Sequence, residues 1–264
     1  MASCISRVLH SLSRNALGAV GAAALAPALA ANGSLTSLDL SNNELCGLTT
    51  WGGTYTAEGI TAIADAFRVT GSLTALNLSS NHIGGHYRNG KMVHTPEGPK
   101  AVADALLVNG SLTALDLSSN KLMDEGVSAV CEAILSNKET KLASLNFVYN
   151  AIGPVGANSV AAMVSVTGSL TSINLSENKL TNYGSDMTGI KQLAAALGVN
   201  GSLTSIDLSS NQLCGLNWEG KGNYTTVGIA AIADALRANG SLTKMWYVSP
   251  RTSKNWAHPL DPRS

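Results

Sequence analysis

The phrase Gly-Ser-Leu-Thr returns along this chain, and the residues after it return as well. The copies read "GSLTSLDLSNNEL" from Gly33, "GSLTALNLSSNHI" from Gly71, "GSLTALDLSSNKL" from Gly110, "GSLTSINLSENKL" from Gly168 and "GSLTSIDLSSNQL" from Gly201. A looser copy, "KLASLNFVYNAI", starts at Lys141, and a seventh start, "GSLTKMWYVSP" from Gly240, soon loses the pattern. Self-similarity of this kind restricts the fold sharply. No single unit can bury its own apolar face, so each must stack on its neighbours.

Each copy carries apolar residues at fixed offsets, such as Leu35, Leu38 and Leu40 in the first and Leu203, Ile206 and Leu208 in the sixth. The alternation of the last two puts both on one face of a short strand. An Asn follows three residues later, at Asn43, Asn81, Asn120, Asn150, Asn178 and Asn211. Turned inward, these six predict a ladder that satisfies backbone groups otherwise buried without partners. The second half of each unit is helical in pattern. Gly59, Gly98, Gly156, Gly189 and Gly228 each stand twelve residues before the next unit's first Gly or its equivalent, and Gly126 plays the same part before the looser copy. In "GITAIADAFRVTG", Ala62, Ile63, Ala66 and Phe67 form one helix face, while Asp65, like Asp104, Glu132 and Asp234, falls on the other.

This spacing resembles the leucine-rich-repeat consensus. A strand plus a full helix in a minimum period of 28 residues, Leu142 to Leu170, is similar to the ribonuclease-inhibitor-like subtype. That subtype also builds the repeat arms of NOD-like receptors and Ran GTPase-activating proteins. The resemblance covers residues 21 to 248. It implies an α/β leucine-rich-repeat solenoid, a curved right-handed superhelix with parallel strands on the concave side and helices on the convex side. Residues 1–31 are then an N-terminal capping helix unit. Residues 32–248 hold six full repeats and a degenerate seventh, and 249–264 form a tail. The function implied is non-catalytic protein–protein interaction, as a scaffold or sensor arm. Two alternatives are a GTPase-activating regulator and a repeat fragment of a NOD-like receptor.

The N-terminus has a second reading. "MASCISRVLHSLSRN" is basic and free of acid, and the stretch after it is apolar, so residues 1–20 are a candidate targeting segment. Gly21, however, stands twelve residues before Gly33 and aligns the stretch with the other helices, against which Pro27 is the one discordant residue. The uncharged run 16–31 is shorter than the roughly 20 apolar residues a membrane span needs. Asn32, Asn77, Asn109, Asn174, Asn200, Asn223 and Asn239 all head glycosylation sequons. Glycans at Asn77 and Asn174 would cover the strand face, which favours a cytoplasmic location. Cleavage of residues 1–20 would instead mean an organelle or secretion.

Lys plus Arg and Asp plus Glu number 17 each, so no net field draws the protein to nucleic acid or an anionic membrane. Cys4, Cys46, Cys131 and Cys214 form no C-x-x-C pair and no disulfide framework. Neither a nucleophile–base set nor a phosphate loop is present, and no cofactor is expected.

Two surfaces remain for a protein partner. The first is the strand face, with its Asp39, Asn77, Asp116, Asn146, Asn174 and Asp207 stripe flanked by outward Ser and Ala, Ser41 and Ser176 among them. The second is the corner between strand and helix. Six residues separate Asn120 from Gly126 and Asn150 from Gly156, but 16 separate Asn43 from Gly59, 17 Asn81 from Gly98, 11 Asn178 from Gly189 and 17 Asn211 from Gly228. These insertions leave the solenoid on one edge and carry Trp51, Tyr55, Tyr87, Tyr183, Trp218 and Tyr224. They either bind or pin the loops to their own repeats. Arg88 is the residue an arginine finger would use. His82, His86 and His94 share one loop, without the fixed spacing or the Cys and carboxylate partners of a metal site, and no metal is expected.

Overall fold

A computed structural model describes residues 9–49, 52–88, 91–217 and 219–246. The chain runs β1 (Leu9–Ser11), α1 (Gly18–Ala31), β2 (Ser37–Asp39), a small hairpin β3 (Leu48–Thr49) and β4 (Gly52–Gly53), then α2 (Glu58–Val69). Next come β5 (Ala75–Asn77), a second hairpin β6 (Gly85–Arg88) and β7 (Lys91–His94), α3 (Glu97–Leu106), β8 (Ala114–Asp116) and α4 (Met123–Ser136). The remainder is β9 (Ser144–Asn146), α5 (Pro154–Val166), β10 (Ser172–Asn174), a 3-10 turn (Asn182–Gly184), α6 (Thr188–Val199), β11 (Ser205–Asp207), α7 (Val227–Ala238) and β12 (Lys244–Trp246).

Eight of these strands form one parallel sheet in chain order, β1-β2-β5-β8-β9-β10-β11-β12, in unbroken register from Ser37↔Ala75 to Ser205↔Lys244. Strands of three residues hold because stacked rows of side chains back them. Leu38, Leu76, Leu115, Leu145, Ile173 and Ile206 form one row, and Leu40, Leu78, Leu117, Phe147, Leu175 and Leu208 the next. None is more than 3% exposed. Burying each such side chain contributes about 1.5–3 kcal/mol. The helices form the second layer and bury the predicted face, as Ile60, Ile63 and Phe67 do in α2.

The glycine at each helix start is a packing requirement. A Cβ on Gly59 would lie 2.3 Å from Leu45 O, one on Gly98 2.3 Å from Ile83 O, and one on Gly189 2.4 Å from Pro154 O. In α2 and α3 the helix backbone rests directly on the preceding turn, and in α6 on the first turn of α5.

The asparagine ladder is present, with one defect. Each Asn turns its carboxamide toward the preceding unit. Asn81 Nδ2 donates to Leu40 O at 3.0 Å, and its Oδ1 accepts the Asn43 N–H at 3.0 Å. Asn120 and Asn150 do the same for the units before them. Residues on both sides of the ladder position adopt the left-handed region, for example Ser80 and His82 (φ +57° and +58°) and Ser119 and Lys121 (φ +56° and +55°). This pair of left-handed residues swings the Asn inward. Asn211 departs from the expected pattern. Its Nδ2 donates to Leu175 O at 2.7 Å, but its Oδ1 is buried with no partner. The cause lies one unit back. Lys179 lacks the left-handed backbone, and its N–H returns to Ile152 O at 2.8 Å.

One strand lies outside the sequence expectation. β1 pairs with β2 and precedes the helix of the N-terminal unit. The Asn15 N–H donates to Asn43 Oδ1 at 3.0 Å, and Asn43 Nδ2 donates to Leu12 O at 2.7 Å. Leu12 and Asn15 stand 28 residues before Leu40 and Asn43, one repeat period, with His10 in the place of Leu38. The N-terminal unit is therefore a strand and a helix rather than a helix alone. Pro27 sits within α1 on its exposed side, where water can reach the carbonyl it leaves unbonded.

Candidate functional site

On the strand face the central residue of β2, β5, β8, β10 and β11 is buried and its two neighbours are part-open. The Asp/Asn stripe has a structural duty that sequence reasoning missed. Asp39 Oδ1 accepts the Ser41 N–H at 2.9 Å, Asn77 Oδ1 that of Ser79 at 2.9 Å, and Asp116 Oδ1 that of Ser118 at 2.8 Å. Asn146, Asn174 and Asp207 repeat this bond to the residue two positions on. Each side chain thereby closes the turn that leads into the ladder. One oxygen of every stripe residue is already engaged. Two serines expected to face outward, Ser41 and Ser176, are buried instead, because the turn folds back over them.

A second column went unread as structure. Asn109, Asn200 and Asn239, all sequon residues, cap the helix ends. Asn109 Nδ2 donates to Phe67 O at 2.7 Å, while its Oδ1 accepts the N–H groups of Ser111 at 3.0 Å and Leu112 at 2.9 Å. Asn200 and Asn239 reach back to Val164 O and Leu197 O. The signal was present, since Asn137 stands at the corresponding place in a unit that has no sequon there.

The insertions leave one edge, as predicted, but in two groups separated by the two short units. Loops one and two meet at the first group. The Tyr55 ring stacks on His86, with centroids 6.2 Å apart and planes at 9°. Its hydroxyl donates to Ile83 O in the next unit at 2.9 Å. Burial pushes the Tyr55 hydroxyl and the Cys46 thiol up, the latter to about 12. Tyr55 thus pins its loop to the neighbouring repeat. Tyr87, on β6, is 64% exposed. Lys121 Nζ lies 3.0 Å from His82 Nδ1 and 5.6 Å from the centre of the Tyr87 ring. Burial, Lys121 and His86, in that order, lower the His82 pKa to about 4, so the ring is neutral and accepts from the ammonium. Between the two hairpins these residues bound a groove of about 710 Å³.

Loops five and six meet backbone to backbone. The Asn223 N–H donates to Tyr183 O at 2.9 Å, and Thr181 Oγ1 donates to Gln212 O at 2.9 Å. Gly184 and Gly215 (φ +80° each) lie so close to Asn223 O that a Cβ would fall 2.1 and 1.9 Å away. Tyr183 is 39% and Tyr224 68% exposed. Trp51, Trp218 and the Arg88 side chain lie outside the described residues, as does the tail 249–264.

A second hollow, of about 600 Å³ between α5 and α6, is lined by Ala161, Ser165, Ala195 and Val199 among others and holds no charged side chain. Among the described residues no group of three His, Cys, Asp or Glu side chains could hold a metal ion, and His82, His86 and His94 form no such group. No helix of the described residues is long and apolar enough to cross a membrane.

No curated protein matches the chain in sequence. One solved structure similar to it is the TLR13–ssRNA13 complex, 21% identical over 69% of this chain and 20% of that one, with a TM-score of 0.37. Another is the Rad7–Elc1 complex of yeast, 13% identical over 80% of this chain and 62% of that one, with a TM-score of 0.27. The chain spans a fifth of the first structure's length and under two thirds of the second's. Family models described as leucine-rich repeat match residues 34–52, 72–85 and 108–131. These segments fall on β2, β5 and β8 with their ladder asparagines. The chain thus carries leucine-rich repeats at these segments, stacked as parallel strands with inward asparagines.

Proposed function

We propose that this chain is a non-catalytic protein-recognition module, a rigid frame that presents its loop edge to a protein partner. One observation carries the reading: Tyr87 and Tyr224 stand 64% and 68% exposed on loops that are otherwise tied down. Exposed aromatic rings on a fixed scaffold are the anchors interfaces use. The strand-face stripe is the weaker surface, since Asp39, Asn77, Asp116, Asn146, Asn174 and Asp207 each spend one oxygen on their own turn. Helices of 10 to 14 residues in every unit support the ribonuclease-inhibitor-like subtype. We read residues 32–248 as one solenoid domain, with 1–31 as its N-terminal cap.

A cytoplasmic location fits two features. The thiols of Cys46 and Cys131 are buried and unpaired, and burial pushes both up. Asn109 and Asn200 are 6% and 8% exposed with their nitrogens donating inward, so a glycan there is incompatible with the fold.

The test is affinity capture from native lysate. Wild type is compared with a variant whose four long loops are cut to the six-residue spacing of units three and four. Loss of a partner from the trimmed protein, with circular dichroism unchanged, is the expected result. Equal capture by both proteins would move recognition off the loop edge.

A further inference from the structure

The groove between loops one and two has a charge that no described residue answers. Lys121 belongs to a short unit, yet its side chain reaches His82 and Tyr87 on the neighbouring loop. Both are uncharged partners. Among the described residues its ammonium forms no ion pair and it is half-buried, whereas the other lysines without a carboxylate, Lys91, Lys138, Lys141, Lys179, Lys191 and Lys244, are exposed. No Asp or Glu lines the groove. A second polar atom is left over at the groove wall: His86 Nδ1 is buried with no hydrogen-bond partner, its ring fixed by the stack on Tyr55. Buried polar atoms in native folds are usually paired, so this one marks the groove wall as a polar place that no described residue satisfies.

We propose that this groove receives a carboxylate of an acidic peptide segment on the protein partner, with the carboxylate on Lys121 and the adjoining peptide against Tyr87. The inference rests on the loop edge being the recognition surface. Charge matching favours a carboxylate over a phosphate. The groove offers one compact ammonium and a neutral imidazole, which balance a single negative charge. It has no Arg fork of the kind that grips a phosphate dianion. The volume of about 710 Å³ holds an acidic side chain and its neighbour rather than an extended polymer. Desolvation by burial also lowers the Lys121 pKa, so an anion beside it would relieve the cost of burying that charge.

The experiment uses the full chain and a fluorescein-labelled, end-capped decapeptide rich in Glu, read by fluorescence anisotropy. Its Gln isostere, sodium acetate and inorganic phosphate are the comparison ligands. The variant is Lys121→Gln, because Gln212 fills the equivalent place of unit six with the same left-handed backbone, at φ +50°. The Glu peptide should bind saturably. Binding should weaken about tenfold or more with the Gln isostere or with Lys121→Gln, the usual scale for one charge-assisted contact. It should also weaken with salt. Failure of the Glu peptide to bind, or equal binding by Lys121→Gln, overturns the proposal. Phosphate or acetate binding as tightly as the peptide assigns the site to a free anion and overturns it too. A partner captured from lysate by Lys121→Gln but not by the loop-trimmed protein sinks this inference while leaving the loop-edge reading intact.

Discussion

Tyr55 and Tyr224 hold the same place in two copies of one loop, yet one is a peg and the other a flag. "LCGLTTWGGTYT" and "LCGLNWEGKGNYT" fold alike at first. Thr56 N–H bonds Cys46 O at 3.0 Å, and Thr225 N–H bonds Cys214 O at 3.1 Å. The difference lies in the neighbour. Loop one is followed by loop two, whose Ile83 carbonyl and His86 ring receive Tyr55. Loop six is preceded by loop five, and no counterpart of the β6–β7 hairpin follows it among the described residues. A duplicated loop therefore acquires its role from the unit stacked on it, not from its own residues. The first pair of loops meets through side chains and leaves a charged groove. The second meets through glycine backbone and leaves rings in solvent.

The ladder beneath the two pairs differs too, and removing it gives the largest expected contrast. Asn120→Ala strips partners from the Asn81 N–H and the Leu78 carbonyl and should cost about 3–5 kcal/mol. Asn211→Ala loses only the donor side, since its Oδ1 has no partner, and should cost about 1–3 kcal/mol. Urea unfolding of the two variants measures the gap. Equal losses would mean that Asn211 is as fully engaged as Asn120.

The glycine contact of the second pair comes next. Gly215 and Gly220 share a left-handed backbone, φ +80° and +77°, but only Gly215 is crowded, a Cβ meeting Asn223 O at 1.9 Å. Gly220→Ala should cost about 1 kcal/mol from conformation alone, and Gly215→Ala about 2–4 kcal/mol. Melting temperatures that fall equally would remove the contact from the account.

Acid should single out the first pair. The His82 pKa is lowered from 6.5 in the unfolded chain to about 4 in the fold. As pH falls below 6.5 the unfolded chain takes up the proton first, so stability present above 6.5 is progressively lost down to about 4. Lys121 and His86 are the charged or titratable groups that hold it there. His82→Gln should lose less stability than wild type across that window. Parallel pH curves would show that His82 does not feel its surroundings in this way.

The smallest effect concerns the turn that sets unit five apart. Ala151 is left-handed at φ +56° whereas Lys179, at the same ladder offset, is not. Ala151→Gly should stabilise by about 0.5 kcal/mol as strain is released, and Lys179→Gly should destabilise by a similar amount. Opposite signs in thermal unfolding confirm the difference in the turn.

What could be read from the residues was what each unit shares with the others. The apolar rows, the ladder and the helix faces depend on local spacing, and the insertions declared themselves by breaking it. The groove was hidden because Lys121 sits in an undisturbed repeat, where "SSNKL" reads as consensus. Only stacking brings it to His82, 39 positions earlier. The residues after each ladder Asn, Glu44, His82 and Lys121 in successive units, form a column of titratable groups when aligned as one. β1 escaped notice because His10 stands where a Leu was sought, although Leu12 and Asn15 kept the period. The Asp/Asn stripe was visible, but its turn bonds were not, since one side chain can serve solvent and backbone at once.

The helix-end asparagines bear on how the molecule ages. Asn-Gly is the dipeptide most prone to lose its amide nitrogen, through attack of the following N–H on the side-chain carbon. In Asn109, Asn200 and Asn239 both ends of the carboxamide are bonded, which holds that carbon away from its attacker. Asn32 is exposed, and among the described residues only its oxygen is engaged. Of these four, chemical wear should thus reach Asn32 first and the three helix-end asparagines later, so that stacking protects the covalent chain as well as its fold.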